Sequence, residues 1–303
     1  MVVETPIDST QSLGEMGTTI SDLGQRRERR WLRSLTSNRF ALVAGIVVIL
    51  LVLMALMAPW IVPQDPKYID PSIRLLGPGP GHRFGTDDFG RDVLSRVIYG
   101  ARVSLLIGAG VTLFSALIGS VLGLISGYYP RFDTPIMRIM DGMMAFPSIL
   151  LAIAIMASLG PSTRNVFIAL TIVYVPTIAR LVRGSTLVLK QQPFVESARC
   201  IGMKDVGILA RYVFPNALSP LIVQCTFVLA FAIISEASLS FLGAGVPPDE
   251  PSWGNMLRDG QKLIQRAWWM AIFPGIFLVI TVLAFNILGD GLRDALDPRA
   301  KER

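Results

Sequence analysis

This chain of 303 residues is short of the groups that do most protein chemistry. It has one histidine, His82, and two cysteines, Cys200 and Cys225. With so few nitrogen and sulfur ligands, no metal site is expected. One cysteine sits in a polar segment and the other in an apolar one, poorly placed for a structural disulfide. A lone histidine in a loop also rules against a Ser-His-Asp triad inside a membrane. No GxxxxGK[ST] string occurs, so nucleotide phosphates cannot be cradled by the P-loop route, and HExxH is absent. Enzyme chemistry is therefore not expected and no cofactor is called for. Any work driven by ATP would need a nucleotide site on another chain. Charge is scarce too: 17% of residues are charged, against about a quarter in an ordinary soluble domain.

What the chain has instead is apolar sequence, 52% hydrophobic with mean hydropathy +0.54. A span needs about 20 mostly apolar residues. Six runs read as spans: 41–62 (ended by Pro63), 103–127, 135–159, 166–181, 217–239 and 268–288. The expected fold is all-α, a polytopic membrane protein in the lipid bilayer. No cleavable leader is expected, and the first span should remain as an anchor.

The formal net charge of +6 fits basic loops that set orientation better than nucleic-acid binding. Eighteen of the 28 lysines and arginines fall on the side holding the N-terminus if there are six spans. That bias predicts both termini in the cytoplasm. The expected organisation is a cytoplasmic tail over 1–39, then a first span and periplasmic loop over 40–102. A core over 103–292 follows, with a polar loop at 192–216, and a cytoplasmic tail over 293–303. In the first tail, 1–25 reads as disordered. Residues 26–39, dense in arginine around Trp31 and Leu32, read as a short helix on anionic lipid.

The periplasmic loop opens with an irregular Pro/Gly-rich part. TDDFGRDVLSRVIYGAR then reads as a helix start, capped by Thr86 or Asp87, with Asp87 and Asp88 at its N-terminus and ion pairing to Arg91 or Arg96. In the second span, Ser115, Gly119, Gly123 and Gly127 recur every four residues and line one helix face with small groups, which lets another helix approach. Pro147, Pro176, Pro220 and Pro274 are expected to bend or break spans, an arrangement that suits a protein surrounding a pathway. Asp141 either pairs with Arg138 one turn back or lines that pathway. Glu236, near the outer end of the fifth span, has three open readings. It lines a cavity and meets a peptide's ammonium group, or snorkels outward, or pairs with a partner subunit.

The polar loop FVESARCIGMKDVGILARYVFPNA lies between spans four and five. Pro193 suits a first helical position and Glu196 complements the helix N-terminus. The helix should end near Cys200, with Gly202 in the left-handed turn. A second helix follows from Lys204 and Asp205, with Val206, Leu209, Ala210 and Val213 on its inner face. Pro215 should stop it, and Asn216 should cap the fifth span. The product is a cytoplasmic helix–Gly–helix.

Glu196, Ser197, Ala198, Gly202 and Phe214-Pro215 together resemble the E-A-A-x3-G…L-P loop of importer-type ABC permeases. Ser197 departs from the first Ala and Phe214 from the Leu. Phe84 to Asp92, Ala145 to Ser148, Ser238 to Gly243, Trp253-Gly254 and Phe285 to Asp294 resemble the dipeptide, oligopeptide and nickel permease branch, C-type subunit. Arg183-Gly184 through Gln192 is similar to glutathione-permease subunits. The resemblance implies that the loop, through Glu196, Ser197, Ala198, Gly202, Lys204, Asp205 and Pro215, docks on an ATPase. It implies as partners a second homologous permease, two ATPase subunits and an external solute-binding protein. That protein would dock on Pro63–Arg102 and Gly243–Arg266. Short peptides are the expected cargo. Glutathione, nickel chelates and other small solutes stay open, as does a non-transporting scaffold.

Overall fold

The computed structural model describes residues 38–296. The stretch read as disordered, 1–25, and nearly all of the basic segment 26–39 lie outside the described residues, as does the tail beyond Leu296. The described chain is helical: α1 (Arg39–Ile61), α2 (Val93–Tyr128), α3 (Pro130–Met144), α4 (Ser148–Leu159), α5 (Thr163–Leu189), α6 (Pro193–Cys200), α7 (Asp205–Phe241), α8 (Trp253–Lys262) and α9 (Trp269–Leu296). Two isolated backbone bridges, Gly79 with His82 and Thr86 with Asp92, are the only extended pairings among the described residues. Five helices (α1, α2, α5, α7 and α9) are long and apolar enough to cross a membrane. The bent pair α3–α4 makes a sixth if it is one span.

Within the run expected as the third span, 135–159, the chain breaks at Pro147, one of the prolines expected to bend or break a span. The chain turns by 92° between α3 and α4. Pro147 lacks the N–H that would continue the helix, and its ring pushes Phe146 out of helical backbone. The other three prolines do not break their elements: Pro176, Pro220 and Pro274 lie inside α5, α7 and α9. The run expected at 166–181 is longer, filling α5 to Leu189. Its basic end is accommodated by ion pairs to α3, Arg183 to Asp133 and Arg180 to Asp141, each at 2.5 Å.

α2 starts at Val93 and runs 36 residues without a break, so the loop helix and the second span are one element. Its cap is Asp92, whose carboxylate accepts from the Ser95 N–H at 2.8 Å, and not Thr86 or Asp87. Asp87 instead accepts from the backbone N–H of Phe89 and Arg91 and pairs with the Arg91 side chain at 2.6 Å. Arg96 lies 3.7 Å from the same carboxylate. Beside it, burial and the Asp87 charge push the Asp88 carboxyl above the ordinary range.

α2 and α5 pack backbone to backbone. Ser115 Oγ donates to the Thr171 carbonyl at 3.2 Å. A methyl group placed on Gly119 would sit 2.7 Å from the Ile178 side chain. On Gly123 it would lie 2.6 Å from the Ala179 carbonyl oxygen, and on Gly127 2.6 Å from the Thr186 side chain. Only hydrogen fits in those gaps. The central core joins this pair to α4 and α7 through Val111, Met156, Leu170, Ile178 and Val228. α1 lies outside it, resting Leu51 and Ala55 against Ala101 and Phe285.

The molecule has two distinct ends. At one, the segments 63–92 and 243–268 form a cap. Trp253 Nε1 donates to the Val97 carbonyl and Trp269 Nε1 to the Thr86 carbonyl, both at 3.0 Å, and Phe84 stacks on Phe273 at 3.9 Å. Thr163 Oγ1 donates to Glu250 at 2.7 Å, placing the start of α5 in this cap. The polar segment 192–216 forms the other end, packed against Tyr128 at the finish of α2. The chain therefore travels from the polar end to the cap through α3 and α4.

Candidate functional site

The polar segment is a hairpin built on one glycine. α6 opens with Pro193 at its first position and carries Glu196 in its first turn. At its end, the Gly202 N–H donates to the Arg199 carbonyl at 2.9 Å and the Met203 N–H to the Ala198 carbonyl at 3.1 Å. This double closure needs a left-handed residue, and Gly202 has φ +78°. Nothing lies within 4 Å of where its Cβ would be. The backbone angle, not crowding, is what asks for glycine there.

The second arm begins at Asp205 and is not a separate helix. Pro215 does not stop it. Residues Leu209–Val213 form a wider π turn, and the helix continues to Phe241. A proline removes one donor and brings its ring against the carbonyl a turn earlier, and the widened turn makes room. Asn216 does not cap a fresh span either: its Nδ2 donates to the Tyr212 carbonyl at 2.7 Å. α7 has 37 residues, about 55 Å of helix, well beyond the roughly 30 Å hydrocarbon layer. The arm is thus the protruding end of a membrane-length helix.

The π turn also moves the inner face. The expected Val206, Leu209, Ala210 and Val213 give way to Ile208 and Val213, with Leu209 and Tyr212 half-buried. Val206 is 73% exposed and Ala210 is exposed. Ile208 and Val213 pack with Val195 and Ala198 of α6 and with Tyr128 of α2. Of the residues singled out from sequence, Glu196, Ser197, Gly202, Lys204, Asp205 and Pro215 are exposed on the hairpin. Ala198 is not: it faces the hairpin's own core. An apolar groove of about 400 Å³ runs beside the arm, between Leu113 and Leu117 of α2 and Val206, Leu209 and Phe214 of α7.

Sequence reasoning missed Tyr128. Its hydroxyl hydrogen-bonds Asp205 Oδ1 at 2.8 Å, and the Arg199 guanidinium lies 5.3 Å from its ring centre. One residue earlier, Lys190 Nζ donates to the Gly127 carbonyl at 2.7 Å, closing the end of α2 onto α5. The available signal was an aromatic pair, Tyr128-Tyr129, ending the small-residue stripe just ahead of Pro130.

The two acids within apolar sequence sit differently from what was expected. Asp141 pairs with Arg180 across to α5, not with Arg138, and its side chain is 61% exposed. Glu236 has no exposure at all. It accepts hydrogen bonds from Ser104 Oγ at 2.7 Å and Ser240 Oγ at 2.9 Å, between α2 and α7. The side chain is closed off from solvent in this structure, held between the two serines and not pointing outward. Among the described residues no group of three His, Cys, Asp or Glu side chains is placed to hold a metal ion. Cys200 and Cys225 are both free, the first exposed and the second half-buried.

Residues 119–302 match the family model described as the binding-protein-dependent transport system inner membrane component. Residues 29–78 match that of the N-terminal TM domain of oligopeptide transport permease C. Over 271 residues, 89% of each chain, the sequence is 49% identical to the glutathione transport system permease protein GsiD of Escherichia coli. Over 274 residues, 90% of each chain, it is 46% identical to the dipeptide transport system permease protein DppC of Alkalihalophilus pseudofirmus. A solved structure of the MetNI methionine ABC transporter in inward-facing conformations shares the fold. Its TM-score is 0.55 at 20% identity, over 67% of this chain and 96% of that one.

Proposed function

Since this chain belongs to the family of binding-protein-dependent transport inner membrane components, in its oligopeptide and dipeptide permease branch, we propose that short peptides enter a bacterial cell through it, driven by ATPases that grip the hairpin. The chain is a multi-pass inner membrane protein, a permease subunit and not itself an enzyme. ATP is hydrolysed by two partner ATPase subunits. A second homologous permease completes the pathway, and a solute-binding protein delivers cargo to the cap formed by 63–92 and 243–268. Both termini face the cytoplasm. The passage of α3–α4 from the hairpin end to the cap supports counting that pair as a crossing, which makes six.

One observation carries the mechanism: the second hairpin arm is continuous with a span. Exposed Glu196, Ser197, Gly202, Lys204 and Asp205 offer the ATPase a polar, mixed-charge face. When the ATPases close on ATP, they draw the hairpins of the two permeases together. Each arm carries its span with it, and the permeases open outward to receive cargo. Release of the nucleotide products returns the pair to the inward state. The identity to a glutathione permease favours a tripeptide-sized cargo within this class.

The decisive experiment is co-purification and uptake with Glu196→Arg and Gly202→Pro. Proline cannot adopt the φ of +78°, and arginine reverses the charge at the exposed first turn. Both variants should lose bound ATPase and uptake while still inserting in the membrane. Retention of both activities would sink the docking role of the hairpin.

A further inference from the structure

We propose that Tyr128 is a positioning residue that clamps both hairpin arms to the end of α2, so that the hairpin, α2 and α5 move as one body. The inference rests on the hairpin being the ATPase-gripped element.

Three observations converge on it. Tyr128 packs against Val195 and Ala198 of the first arm and against Ile208 and Val213 of the second. Its hydroxyl is bound to Asp205, the first residue of the second arm, at 2.8 Å. Arg199 of the first arm lies over its ring. A single side chain of α2 therefore touches both arms close to the turn at Gly202. The end of α2 that carries it is tied to α5 by the Lys190 bond to Gly127 and by the tight fit of Gly119, Gly123 and Gly127. A push on the exposed face of α6 has two routes into the membrane. One is along α7, through the π turn. The other is through Tyr128 into the α2–α5 pair, which has no break in either helix. The second route bypasses the widened π turn.

The hydroxyl separates clamping from mere packing. Tyr128→Phe keeps the ring in the hairpin core and removes the hydroxyl that binds Asp205. Spin labels at Ile201, exposed beside the hairpin turn, and at Leu106 on α2, in a chain with Cys200→Ser and Cys225→Ala, report the distance between hairpin and span. They are read in nanodiscs, on the chain alone and in the ATPase complex with ATP and vanadate. The wild-type distance distribution should be narrow and the same in both settings. In Tyr128→Phe, which loses one hydrogen bond to a charged group, it should broaden, on the order of twofold. Asp205→Asn should broaden it likewise, and the double variant no further than either single, because both remove one shared interaction. A Tyr128→Phe distribution as narrow as wild type overturns the clamp. So does a wild-type distance that changes when nucleotide is trapped. Failure of ATPase to co-purify with the wild-type chain would instead overturn the hairpin's docking role, and the measurement on the chain alone would still judge the clamp.

Discussion

Glu236 is a fastening at the scale of a single residue. Two serine hydroxyls, one from α2 and one from its own helix, donate to a carboxylate with no contact with solvent. Replacement by alanine removes the acceptor and strands both donors, at a cost of about 1–3 kcal/mol for each buried group left unpaired. Glu236→Ala should therefore unfold at clearly lower temperature in detergent, whereas Glu236→Gln, which keeps a carbonyl acceptor, should stay near wild type in both stability and uptake. A thermal-shift series with uptake assays checks this, and loss of uptake by a Gln variant of wild-type stability would assign Glu236 to the pathway. The sequence shows Glu196 and Gly202 plainly, because their meaning is local: a first-turn acid, and a left-handed residue after the last turn. It does not show Glu236 with Ser104 or Tyr128 with Asp205. Those partners are 132 and 77 residues apart, and nothing local to either announces the other.

Among the elements, the fit of α2 on α5 makes a directional claim. A methyl on Gly123 would lie 2.6 Å from a backbone oxygen, which cannot rotate away. Gly123→Ala should therefore cost about 1–3 kcal/mol through forced separation of the helices. Gly142 on α3 has open space where its Cβ would be, so Gly142→Ala should leave stability unchanged or raise it by up to about 1 kcal/mol through helix propensity. Paired denaturation curves for the two variants test the contrast, and equal losses would refute it. The four-residue spacing made the stripe legible. The fates of the prolines were not legible. Pro147 ends a helix where Ala145, Phe146 and Ser148 around it are exposed, while Pro176 sits buried inside α5. Tertiary packing, absent from a local string, decides between a bend and a continuous helix.

Across the whole molecule, the proposed orientation can be read from one thiol. Cys200 is exposed on the hairpin. In a Cys225→Ala background, a membrane-impermeant maleimide should label it in inside-out vesicles and leave it untouched in intact cells. Labelling from outside would reverse the topology and with it the docking of ATPases. The proposed orientation rests on the charge bias of the sequence, which could not reveal the 92° bend between α3 and α4 or that α7 runs on from the hairpin arm. That arm has a further geometric property. The π turn at Leu209–Val213 inserts one residue beyond regular helical winding, so arm and span are out of phase by about 100° around a common axis. Winding that turn back into a regular helix would spin the membrane half of α7 by the same angle with almost no axial travel. Under the proposed docking, the hairpin therefore holds the span in rotation as well as along its axis.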